Sequence, residues 1–216
     1  MQRPKKKAKL YPFLSGLLLL ISLSLLAANP LYQYTTTQKV KNNLKTVSLA
    51  EITPVVAAAA TTAEMDYSND GVYIGKVAIP AVDLALPIVK GIGDDNLYLG
   101  AATNLTNQVL GQGNYPLSAH KMPFDQNLLF SPLLRVKIGD LIHLTDGEQL
   151  FTYQTTEAFV VGPEQVEILD VIPNKTVVTL YTCETDAGTE RHVVRGELQS
   201  ITSLADADSA IYDLLQ

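Results

Sequence analysis

The chain has 216 residues, of which 47% are apolar and 18% charged, so it has room for one catalytic-size domain plus attachments and is not disordered as a whole. The formal net charge of −6 hides a split: residues 1–9 carry five basic side chains and no acid, whereas Asp66 to Gln216 carries 8 basic against 20 acidic ones, a net of −12. Such an acidic globular part has little with which to neutralise phosphates, which argues against a nucleic-acid binder. The one cysteine, Cys183, excludes an intramolecular disulfide and any zinc site that needs two thiolates.

Behind the basic tail (1–9) lies Leu10 to Ala28, 19 residues without a charge. About 20 such residues suffice for a spanning helix, and the basic flank is expected to stay cytoplasmic. Residues 10–28 therefore read as an uncleaved transmembrane signal-anchor of a single-pass membrane protein. The competing reading is a cleaved signal peptide, but Leu26 stands where a small residue is needed for cleavage after Ala28. Residues 29–65, with Thr35-Thr36-Thr37 and an alanine run, read as an extracytoplasmic stalk, with some helix before Pro54.

The globular domain is expected over 66–216. Val72 to Ile79 is rich in β-branched and aromatic residues and stops at Pro80. Leu84 to Val89 is a second strand. Asp94 to Ala102 is expected to form a short helix capped by Asp94 or Asp95. Tyr115 to Ala119 is a short apolar strand running into His120. Asn127 to Val136 has the leucines for a helical turn or two. Leu141–Thr145 and Leu150–Val161 flank Asp146-Gly147, a strong hairpin signal. Gly162 to Lys175 is a loop, Val177 to Thr182 a strand delivering Cys183, and Arg191 to Leu198 the last strand. Ser203 to Asp206 has the pattern of a C-terminal helix start. Seven or eight short strands with turn signals between them imply a mainly β domain, a closed or nearly closed barrel with short helices.

A nucleophilic cysteine needs a proton partner. His143 lies mid-strand and reads as a solvent-facing residue. His192 lies beside Arg191 and points to the opposite sheet face. His120, at a strand end beside a loop, is the best placed. Arg191 and Arg195 share a face, and Arg191 lies nearer the cysteine end, where it could support a developing oxyanion. Against this stands the plain reading of Cys183 as a small buried hydrophobe.

Five segments in register carry a family resemblance. Thr179-Leu-Tyr-Thr-Cys183 resembles the TLxTC signature of sortases, the cell-surface cysteine transpeptidases of Gram-positive bacteria. Ile74 to Pro80 and Leu86 to Gly91 resemble the first two strands of their barrel. Asn114 to His120 resembles the strand ending in the catalytic histidine, and Glu190 to Leu198 the strand with the catalytic arginine. The N-terminal anchor and the short Cys-to-Arg loop resemble the housekeeping class A group. The resemblance implies that Cys183 is the nucleophile, His120 the general acid/base and Arg191 the oxyanion and substrate-positioning group. It also implies that Pro163, Val166, Ile168 and Leu169 line an apolar groove for the Leu-Pro end of an LPxTG sorting signal. Ser118 and Thr182 would then contact its threonine region. The implied partners are LPxTG-bearing surface proteins and an amine of a lipid-linked peptidoglycan precursor. No cofactor is implied. Some class A members bind calcium, but Ala101 to Asn107 holds no acid here, so no metal is expected. Two other readings remain open: a pilin-polymerising sortase, disfavoured by the acidic tail, and a catalytically silent membrane-tethered binding domain. A hydrolytic protease separates from a transpeptidase only when an amine acceptor is supplied.

Overall fold

The computed structural model describes residues 10–53 and 64–216; the basic tail 1–9 and the alanine run lie outside the described residues. The chain forms two compact units, one up to Lys39 and one from Val40 to Gln216.

Helix α1 spans Leu10–Thr46, so its first 30 residues belong to the first unit and its last seven to the second, and it carries Pro30 inside it. The side chains of Leu17, Leu18, Leu19, Leu20 and Ile21 are exposed on it. Among the described residues, no helix is long and apolar enough to cross a membrane.

The second unit is a closed eight-stranded barrel. Its strands are β1 (Tyr73–Ile79), β2 (Leu84–Val89), β3 (Ala101–Thr103), β4 (Asn114–Ser118), β5 (Leu141–Thr145), β6 (Gln149–Val161), β7 (Val177–Cys183) and β8 (Arg191–Ser203). Around the barrel they run β1-β2-β3-β4-β7-β8-β6-β5, and β5 closes on β1. Two pairs are parallel, β2 with β3 and β4 with β7; the rest are antiparallel.

Period-two alternation separates the two sides of the wall. Val77 and Ile79 enter the main core with Leu117, Ile142, Leu144, Tyr153, Leu180 and Val194. Each such side chain contributes about 1.5–3 kcal/mol by leaving water. Ala78 joins a second, outer cluster with Leu150, Leu204 and Leu215. That cluster exists because helix α3 (Ser209–Leu215) packs against β1 from outside. The Lys76 ammonium, buried on β1, donates to the Gln216 carbonyl, and burial lowers its pKa.

Several elements differ from expectation. The stretch Asp94 to Ala102 divides into a one-turn helix α2 (Asn96–Leu99) and the start of β3. Gly100 makes the change of direction: a Cβ there would meet the Pro87 carbonyl oxygen at 2.3 Å. Strand β8 runs past Leu198 to Ser203, because β6 pairs with it along that whole length. The C-terminal helix begins at Ser209 with Asp208 as its cap, and Ser203 caps only a single turn, Leu204–Asp206. His143 does not face solvent. It is 6% exposed, beside Ala78 in the wall, and its Nδ1 hydrogen-bonds the Thr152 hydroxyl at 3.1 Å. Within the expected stalk, Val40 is buried and Leu44 packs against the barrel core, and the Thr53 amide donates to the Tyr73 carbonyl. The hairpin at Asp146-Gly147 forms as read, with Gly147 at φ +98° and the Asp146 carboxylate accepting from the amides of Glu148 and Gln149.

Candidate active site

The parallel pairing of β4 with β7 sets Ser118 opposite Tyr181. Two residues further along each strand stand His120 and Cys183, so a common rim carries both. The antiparallel pairing of β7 with β8 sets Arg191 directly opposite Cys183. Opposed residues of neighbouring strands share a face. The remote His120 thus joins Cys183 and Arg191 through two strand registers.

The rim is fixed by hydrogen bonds and a ring contact. The Thr182 hydroxyl donates to the Ala119 carbonyl at 2.8 Å, tying β7 to the residue before His120. The Phe130 amide donates to the His120 carbonyl at 3.1 Å. The Tyr98 ring lies against the imidazole, with centroids 4.1 Å apart. Burial lowers the His120 pKa, and the Asp94 charge opposes this only in part. The imidazole is therefore neutral at neutral pH, with one nitrogen free to take a proton. Cys183 is free and half-buried.

The two arginines divide their work. Arg191 Nη1 donates to the carbonyls of Gly188 at 2.8 Å and Glu190 at 3.2 Å, both in the loop behind Cys183. Arg195 is committed to the wall. It donates to the Thr179 hydroxyl, the Glu157 carboxylate and the Ile168 carbonyl, and its guanidinium stands 5.5 Å over the Phe159 ring. His192, beside Arg191, hydrogen-bonds Glu184 through Nδ1 at 2.8 Å.

One cleft of about 350 Å³ gathers these groups. It is lined by all nine residues singled out from sequence: His120, Cys183, Arg191, Ser118, Pro163, Val166, Ile168, Leu169 and Thr182. The loop between β6 and β7 forms one wall. It turns through Val166–Leu169, burying Leu169 and leaving Val166 exposed. The Asn114 side-chain amide holds it, donating to the carbonyls of Ile168 at 2.9 Å and Asp170 at 3.0 Å. The sequence reading missed Met65, Ile92, Leu97 and Tyr181, which also line the cleft. Tyr181 was within reach, because alternation puts it on the Cys183 face. Met65 belongs to no motif. Among the described residues, no three His, Cys, Asp or Glu side chains group closely enough to hold a metal ion.

A thiol, an imidazole able to take and return a proton, and a guanidinium along one largely apolar cleft are the parts of a cysteine acyl-transfer site. The sortase domain model matches residues 77–199. Sortase A of Listeria monocytogenes is 38% identical over 180 residues, 80% of this chain and 78% of that protein. Sortase A of Streptococcus agalactiae is 42% identical over 142 residues, 64% of this chain; the chain spans 58% of that relative's length. The crystal structure of the Listeria monocytogenes sortase A superposes with a TM-score of 0.60 at 36% identity, covering 66% of this chain and 96% of that one. Sortase C of Clostridium perfringens, solved with a C-terminal cell wall sorting motif, gives 0.56 at 30% identity, covering 61% and 73%. The chain belongs to the sortase family, whose members are cysteine transpeptidases. Three curated relatives at 35–42% identity are sortase A proteins, which supports class A.

Proposed function

We propose that this protein is a membrane-anchored class A transpeptidase that cuts an LPxTG-type sorting signal between Thr and Gly. The observation that carries the reading is the single cleft that joins Cys183, His120 and Arg191 to the apolar wall of Pro163, Val166, Ile168 and Leu169. His120 takes the thiol proton as the Cys183 sulfur attacks the threonine carbonyl, and Arg191 steadies the oxyanion. His120 passes a proton to the departing glycine amine, leaving a thioester on Cys183. An amine of a peptidoglycan precursor then attacks the thioester. His120 takes its proton, a new amide forms and the thiol is returned. Ser118 and Thr182 flank the threonine.

The anchor reading rests on 19 uncharged residues behind five basic ones, and on the bare leucines of α1. It puts the catalytic domain outside the cell, where exported proteins and lipid-linked precursors meet.

The test uses a chain beginning at Val40, an LPxTG peptide and triglycine, read by mass spectrometry. The expected products are an acyl adduct on Cys183 and ligated peptide only when the amine is present. Cys183→Ala should lose both with its melting temperature unchanged. Ligation by that variant, or an intact peptide with the parent across several signal variants, would refute the reading.

A further inference from the structure

The seven residues Glu184 to Glu190 between β7 and β8 hold the guanidinium of Arg191 through two of their carbonyls. The aim of Arg191 therefore depends on where this loop stands. Its neck is closed by the Glu184 amide donating to the Glu190 carbonyl at 3.0 Å. Its tip turns at Gly188, φ +67°, where a Cβ would lie 3.8 Å from the Cys183 sulfur. The loop thus flanks the thiol as well.

What holds the tip to the barrel is a charge pair. Lys121 Nζ donates to Asp186 Oδ1, across 65 residues of sequence. Lys121 directly follows His120. Its backbone is fixed by a bridge to Leu129, and the next residue, Met122, donates its amide to the Ser131 hydroxyl. The lysine is thus a firm post, 19% exposed, and the aspartate, 63% exposed, is the end of a loop moored to it. We propose that the Lys121–Asp186 ion pair is a strap beside the cleft that sets the distance between His120 and Arg191 around Cys183, making both positioning residues for the acyl-transfer reaction.

An exposed pair of this kind shifts an equilibrium by at most about fivefold. It has little leverage on global folding and much on the open and closed states of one short loop. Salt should weaken it, because Asp186 is in reach of counterions.

The inference rests on the transferase reading, so the decisive experiment needs no sorting peptide. The full chain in detergent micelles is compared with Lys121→Glu, Asp186→Lys and the double charge swap, reading the rate at which iodoacetamide alkylates Cys183. Each single reversal sets like charges together and should speed alkylation several-fold with the melting temperature unchanged. The double swap should return it to the parent rate. High salt should accelerate the parent and the swap alike. With an LPxTG peptide, each single reversal should lower kcat several-fold while KM holds, and the swap should recover it. Equal alkylation rates in all four proteins, or a swap no better than the single reversals, would overturn the strap. Correct alkylation behaviour with a parent that processes no LPxTG peptide would sustain the strap and count against the substrate reading alone.

Discussion

Burial lowers the pKa of both His120 and His143, yet the two sit in different chemistry. His120 lines the cleft; His143 is shut in the wall with a threonine hydroxyl as its partner. An imidazole that resists protonation when folded takes a proton readily when unfolded, near its ordinary value of about 6.5. The unfolded state then binds more protons, so the stability contributed by His143 is present above that pH and lost as pH falls through the depressed folded value. His143→Gln keeps a partner for Thr152 and removes the titration. Its stability, followed by urea unfolding between pH 7 and pH 5, should fall less steeply than the parent's. Parallel curves would show that His143 is not a source of the acid sensitivity. Nothing in Ile142-His-Leu144 disclosed this burial, because alternation showed only that His143 faces away from the core. The helix that helps cover that outer face comes from the other end of the chain.

Strands that bury one face in the core were readable; elements whose form depends on a distant partner were not. β4 and β7 stood out because each is a compact apolar run ending in a reactive residue. β3 did not, since three residues give no period, and it is defined by its neighbours, β2 on one side and β4 on the other. The same distinction runs through the site. Cys183, His120 and Arg191 were legible from strand ends and family motifs. The mooring of the β6–β7 loop was not, because it runs from the Asn114 amide on β4 to Ile168 and Asp170. Asn114 also accepts from the buried Thr179 hydroxyl at 2.8 Å. Asn114→Ala strips three polar groups of a partner and should cost about 1–3 kcal/mol. It should raise KM for the proposed sorting peptide more than it lowers kcat, because the groove wall loosens while the registers that place His120, Cys183 and Arg191 are kept. A variant with unchanged KM and unchanged denaturant midpoint would show the loop held by other means.

Across the whole molecule, the barrel has two apolar layers with separate duties. The inner core carries the strand registers that define the site. The outer cluster of Ala78, Leu150, Leu204 and Leu215 shares no residue with the cleft lining. Leu215 is nonetheless fully buried. Leu215→Ala should therefore cost about 2–5 kcal/mol, the usual range for an emptied leucine site. Well below its lowered melting temperature it should retain the parent's kcat and KM. A drop in kcat at such a temperature would mean that the outer layer reaches the active rim.

The pairing of β4 with β7 also bears on how the molecule comes into being. Asn114 must find Val177, and Lys76 must find Thr145, before the wall is complete. Contacts between segments so remote along the chain demand loop closure before they give any return, and proteins dominated by them fold slowly. His120, Cys183 and Arg191 belong to three segments that acquire their spacing only when these late pairings form. A newly made chain thus carries Cys183 without His120 beside it until β4 has found β7, and the cleft cannot exist before that pairing.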